Sequence, residues 1–190
     1  MLAAENKLSS SLVEPESVQK IQRITANTGI VYSGMGPDFR LIVRRAQKKA
    51  AAYKLTYGED MPVAQITRAV ARIVQEFTQS GGVRPFGVSL LIAGWDHLGA
   101  QLFQVDPSGA FFEWKASAIG SAHRNAKSFL EKRYADDMEL EDAIHVGLLT
   151  LREGVEGEMT GENVELAVAD AEGFRILSGE EVADYLEETT

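Results

Sequence analysis

The chain has 190 residues, 45% of them hydrophobic and 25% charged, with 28 acidic side chains against 19 basic ones and a formal charge of −9. That length suits one domain that buries roughly 70% of the surface its unfolded chain exposes, and the acid excess argues against a general nucleic-acid-binding role. There is no cysteine, which excludes disulfides, thiolate metal sites and a cysteine nucleophile. The longest apolar run, Phe86 to Trp95, is far short of a membrane span. The first residues lack the basic start and long apolar centre of a signal peptide, so the sequence predicts a soluble intracellular protein.

In chain order, Leu2-Ala3-Ala4 reads as the tail of a strand. Val18 to Thr25 alternates apolar and polar residues, and Thr28 to Ser33 is a second β-rich run. Asn27-Thr28-Gly29 lies between them as a turn, which predicts a hairpin. Gly34-Met35-Gly36-Pro37-Asp38 opens a helix, with a proline suited to its first turn and an aspartate complementing the dipole. Phe39, Ile42, Val43, Ala46, Ala50 and Tyr53 continue it at helical spacing to about Leu55. Arg40, Arg44, Arg45, Lys48 and Lys49 form its basic side.

A second helix begins near Pro62, and Gly81-Gly82 follow its end. The nearly continuous apolar run Phe86 to Trp95 predicts a central strand buried on both faces. Gln101 to Val105 returns. Asp106-Pro107-Ser108-Gly109 fits a type I turn, and Ala110 to Lys115 extends the meander. Two helices follow, marked by Ala122 to Arg133 and Leu140 to Leu151. Val164 to Ala169 and Phe174 to Leu177 predict a second hairpin turning at Gly173. Ser178-Gly179-Glu180-Glu181 has the spacing of a capping box before a last helix. Helices arrive in pairs between groups of strands, which predicts an α+β fold of antiparallel sheets covered by helices, in one domain over residues 1–190.

Four blocks carry a resemblance: Tyr32 to Asp38, Gln75 to Leu91, Leu102 to Gly109 and Ser128 to Tyr134. Together they resemble the proteasome α subunits, and with Leu140 to His145 they are most similar to the eukaryotic type-two branch of that family. The resemblance implies the four-layer α-β-β-α sandwich of the N-terminal-nucleophile hydrolase fold. It also implies a place in the outer ring of the core particle, with other α and β subunits as partners. The family carries a gate tail, a first helix and a first strand before the segment resembling Met1 to Ser11, so the chain reads as N-terminally truncated. A form that does not assemble is the alternative to a ring subunit.

Catalytic members of the fold use an N-terminal threonine whose own amine is the base. Here the chain starts Met1-Leu2-Ala3 and no threonine precedes Thr25, so a non-catalytic subunit is expected and a threonine peptidase is the rival. From spacing alone, Lys20 is an exposed strand lysine beside an ordinary turn. The resemblance implies instead that Lys20, Gly34 and Met35 form part of a pocket for the C-terminal tail of a regulatory particle or activator. A lysine suits that role because a terminal carboxylate takes a charge-assisted donor. Glu5, Ser121 and Glu162 match or fall near positions around the catalytic site of β subunits and read as structural remnants.

The Gly34–Gly36 turn lacks the lysine-serine or lysine-threonine ending of a phosphate loop. Arg84-Pro85-Phe86-Gly87 reads as a segment that positions the next strand. His97, His123 and His145 show no metal spacing, and the resemblance calls for no cofactor. Nucleic acid and membrane are not expected as partners. Cytoplasm and nucleus are the compartments the resemblance implies.

Overall fold

The computed structural model describes residues 1–7, 10, 12–155 and 157–189. Among them are eight strands and five α-helices, with a 3-10 turn at Pro15–Ser17. They form two sheets, and the α+β class expected from the sequence is borne out. Two compact units are distinguished. One comprises Met1–Ile21, Ala116–Val168 and Arg175–Thr190. The other comprises Gln22–Lys115 and Ala169–Phe174.

The second unit is built on a five-stranded sheet of order β2-β3-β4-β5-β6, formed by Ile21–Thr25, Thr28–Gly34, Val88–Asp96, Gly99–Val105 and Phe111–Glu113. The β3–β4, β4–β5 and β5–β6 pairings are antiparallel. β4 is the middle strand and is buried along most of its length, as its apolar run predicts. Helices α1 (Gly36–Tyr57) and α2 (Val63–Gln79) follow the hairpin β2–β3. Phe39, Ile42, Val43 and Ala46 of α1 and Ile66, Val70, Ile73 and Val74 of α2 pack with Ile30, Leu90, Ile92 and Val105 in one core. These α1 and α2 residues recur every three or four positions, so each helix turns one stripe inward.

Two contacts explain how α1 and α2 are seated. Gly58, in the left-handed conformation at φ 76°, ends α1 and donates its N–H to the Lys54 carbonyl at 2.8 Å. Asp96, at the end of β4, accepts the Val63 N–H at 3.0 Å and so caps the first turn of α2 from a distant strand.

The first unit holds β1 (Leu2–Glu5), α3 (His123–Arg133), α4 (Leu140–Arg152), α5 (Gly179–Glu188) and most of β7 (Val164–Asp170). The three-stranded sheet has the order β1-β7-β8, where β8 is Gly173–Ile176, and Leu2 stands opposite Ala167 in the antiparallel β1–β7 pair. Ile144 and Leu148 of α4, Leu166 and Val168 of β7 and Val182 of α5 form its core. The capping box is present as expected. Ser178 Oγ accepts the Glu181 N–H, and the Glu181 carboxylate accepts the Ser178 N–H at 2.8 Å.

Element boundaries differ from the sequence expectation where side chains capture backbone groups. β2 begins at Ile21 rather than Val18, because the Lys20 and Ile21 amides go to the Glu165 carboxylate. β4 begins at Val88 rather than Phe86, since the Gly87 amide is bound by Asp38. β6 is confined to Phe111–Glu113, inside the expected Ala110 to Lys115.

Candidate functional site

The best-defined polar construction in the second unit surrounds the turn from β3 into α1. Gly34, the last residue of β3, has φ 120°, and a Cβ placed on it would lie 2.2 Å from the Gly87 carbonyl oxygen. Both the backbone conformation and the close approach require glycine. Met35 follows as the N-cap of α1. Its N–H donates to that same Gly87 oxygen at 2.9 Å, and its carbonyl accepts the Phe39 N–H at 3.2 Å. Met35 is 48% exposed as a residue, and its sulfur lies 2.9 Å from where a Cβ on Gly87 would stand, so the side chain leans over Gly87 while part of the residue stays open to solvent.

One carboxylate locks this turn to the segment preceding β4. Asp38 accepts from both terminal nitrogens of Arg84, each at 2.8 Å, and from the Gly87 N–H at 2.9 Å. The forked guanidinium matches the planar carboxylate, giving a directional bidentate pair. The Asp38 side chain is 9% exposed while that of Arg84 is 61% exposed. The hydrogen bonds from Arg84 hold the Asp38 carboxyl below the usual aspartate range, against the opposing effect of burial. Gly87 is therefore gripped at both ends, its N–H by Asp38 and its carbonyl by Met35. Stacking of Tyr32 on Phe39, with ring centroids 4.3 Å apart, completes the support.

Lys20 belongs to the first unit, in the bend just before β2. Its backbone N–H donates to both Glu165 oxygens, at 2.9 and 3.2 Å, and the Ile21 N–H donates to Oε2 at 2.9 Å. Asn6 Nδ2 also donates to Glu165 and reaches the Val18 carbonyl at 3.0 Å. Glu165 thus fixes the backbone that carries Lys20 through main-chain contacts. Among the described residues, no carboxylate lies within ion-pair distance of the Lys20 ammonium.

Glu5 and Glu162 come together at a cleft of about 750 Å³ in the first unit, lined also by Asn6, Glu14, Pro15 and Asn163. Ser121 is not in that cleft; it lies in the turn before α3. The three histidines have separate surroundings. His97 is exposed beside Asp96, His123 Nδ1 meets the Gly120 carbonyl at 2.7 Å, and His145 Nδ1 meets Thr189 Oγ1 at 2.7 Å. Among the described residues, no three potential metal ligands gather.

Sequence reasoning read Arg84 to Gly87 as positioning the next strand and Asp38 as a dipole partner, but it missed that Asp38 pairs with that segment, and it missed Glu165 as an organiser. Asp38 and Arg84 are 46 positions apart and Lys20 and Glu165 are 145 apart, so no local pattern links either pair.

Two of the blocks that carry the resemblance are physically joined: Tyr32 to Asp38 and the segment Arg84 to Val88 form one hydrogen-bonded corner. The proteasome subunit family model matches residues 1–169, which include both blocks. The chain belongs to the proteasome subunit family. Proteasome subunit alpha type-2-A of Arabidopsis thaliana is 58% identical over 189 residues, covering 99% of this chain and 80% of the relative. Proteasome subunit alpha type-2 of Oryza sativa subsp. japonica is 58% identical over 190 residues, with the same coverage. Proteasome subunit alpha type-2 of Drosophila melanogaster is 54% identical over 186 residues, covering 98% of this chain and 80% of the relative. The resemblance to α subunits and to their type-two branch is therefore borne out.

Proposed function

We propose that this chain is a non-catalytic α-ring subunit of the proteasome core particle, and that Lys20, Gly34 and Met35 contribute to a pocket for the C-terminal tail of a regulatory particle or activator. The α-type relatives support the structural role. In that role the chain assembles with other α and β subunits and supports ubiquitin-dependent protein degradation carried out elsewhere in the particle, in cytoplasm and nucleus. Neither nucleic acid nor a membrane is a partner in this reading, and no described helix is long and apolar enough to cross a membrane. Residues 1–190 act as one α-type domain, a reading supported by a family match that runs through both compact units.

The observation carrying the pocket reading is the rigid display of the Gly34–Met35 turn. Its backbone is held by Gly87, and Asp38 and Arg84 brace it, while Met35 remains half-exposed. A tail seated there meets an apolar thioether beside a helix N-terminus, and a lysine ammonium supplies the charge-assisted donor its carboxylate takes.

The test is binding of an activator tail peptide to particles reconstituted with this chain, comparing a free C-terminal carboxylate with an amidated end. Lys20→Ala is expected to weaken the carboxylate peptide about tenfold or more, as loss of a charge-assisted hydrogen bond should, and to leave the amidated peptide unchanged. Equal binding by wild type and Lys20→Ala would remove Lys20 from the pocket.

A further inference from the structure

Glu165 stands within β7, opposite Ala4 of β1 in the antiparallel pair. On either side of it Val164 and Leu166, followed by Val168, turn into the core with Ile144, Leu148 and Val182. Side chains alternate along a strand, so Glu165 points to the other face of the sheet. There it meets the bend that leads into β2.

Four hydrogen bonds reach its two oxygens. The Lys20 N–H donates to both, at 2.9 and 3.2 Å, the Ile21 N–H donates to Oε2 at 2.9 Å, and Asn6 Nδ2 donates to Oε1. A carboxylate offers about four acceptor sites, so amide donors fill this one. The Lys20 ammonium is therefore not drawn back onto Glu165, and among the described residues no carboxylate lies within ion-pair distance of it. Asn6 completes the clamp. It is 4% exposed, its N–H donates to the Asn163 carbonyl at 2.7 Å, and its Nδ2 also reaches the Val18 carbonyl at 3.0 Å. The backbone is thus held at Val18, Lys20 and Ile21, although Lys20 itself precedes the first residue of β2. Every partner of Glu165 is a donor, so the position calls for a group that only accepts. A glutamine of the same shape would set an NH2 against a donor.

We infer that Glu165 is the positioning residue of the tail pocket: by occupying the amides of Lys20 and Ile21 it directs the Lys20 ammonium and leaves it free for the terminal carboxylate of an incoming chain. This assignment rests on the pocket reading above and adds the group that aims its cation. Glu165 touches no part of the tail in this role and acts only through the backbone of Lys20. A charge-assisted hydrogen bond depends on direction as well as distance, so a cation whose backbone is loosened loses selectivity for a carboxylate end.

The test compares particles reconstituted with the wild-type chain, Glu165→Gln, Glu165→Asp, Lys20→Ala and the double variant Lys20→Ala/Glu165→Gln. Each is titrated with an activator tail peptide ending in a free carboxylate or an amide, and hydrogen exchange follows the Lys20 and Ile21 amides. Glu165→Gln removes a negative charge close to Lys20, which by Coulomb attraction alone would strengthen binding of an anion. Lost positioning acts in the opposite direction. The expected result is faster exchange at both amides and a preference for the carboxylate peptide reduced about fivefold or more, with the amidated peptide bound as before. Glu165→Asp, still acceptor-only but shorter, should keep more of the preference than Glu165→Gln. In the Lys20→Ala background Glu165→Gln should have no further effect. A wild-type or stronger preference in Glu165→Gln overturns the inference while the pocket reading stands. Equal weakening of both peptides, or unchanged exchange at both amides, overturns it as well. Full preference in Lys20→Ala removes the pocket and the inference together. If Glu165→Gln does not assemble, Glu165→Asp decides: a reduced preference supports the inference and a wild-type preference overturns it.

Discussion

Asp38 gathers three donors at one nearly buried carboxylate, and each donor comes from the loop that leads into β4. Replacing it with alanine leaves the Gly87 N–H without its acceptor and releases Arg84. Leaving such a group unpaired costs about 1–3 kcal/mol, so Asp38→Ala should lower stability by that amount in a urea titration. The sign of its pH dependence follows from its depressed pKa. The folded carboxyl titrates below the unfolded value of about 4, so its contribution is complete above that value and is lost as pH falls through the folded pKa. Thermal melts from neutral to acid pH should therefore show a shallower acid loss for Asp38→Asn than for wild type. An identical slope would mean that Asp38 is not stabilised by its partners. Gly34 shows the same logic in steric form, since its φ and the Gly87 oxygen at 2.2 Å leave no room for a Cβ.

The helices differ in how their ends are secured. α5 is closed locally by its capping box, whereas α2 borrows Asp96 from β4. α5 is also short, at ten residues, and turns Val182 into the core with Tyr185 and Leu186 packed around it. A short helix depends on its cap, so Ser178→Ala should cost about 1 kcal/mol and raise amide exchange within α5. Exchange unchanged in α5 would show that packing alone holds it. The α5 cap was legible in Ser178-Gly179-Glu180-Glu181, because both partners of a capping box lie three residues apart. The α2 cap was not, because Asp96 reaches Val63 across 33 positions.

At the scale of the molecule, each unit holds a core cluster among the described residues. Ile42 is fully buried among α1, α2 and the five-stranded sheet, and Leu148 is fully buried among α4, β1, β7 and α5. Ile42→Ala and Leu148→Ala should each cost about 2–5 kcal/mol in chemical denaturation. Lying in separate clusters, their effects should add within about 0.5 kcal/mol in the double variant. A larger discrepancy would mean that the two cores respond as one. Charge is distributed at this scale too: the acid excess is concentrated in the first unit, while α1 carries six basic side chains against one carboxylate.

The sequence by itself determined the order of strands and helices, the central β4, the α5 cap, the α+β class and the family. These rest on periodicities, turn residues and neighbouring blocks, all of which act over a few positions of chain. Tertiary structure alone decided that Asp38 grips Arg84 and Gly87, that Glu165 ends the amide ladder before β2, and that Glu5 shares a cleft with Glu162 while Ser121 does not. The reason is physical: a carboxylate selects its donors by distance and direction in space. Residues 46 or 145 positions apart come within that reach only after the sheets and helices have packed.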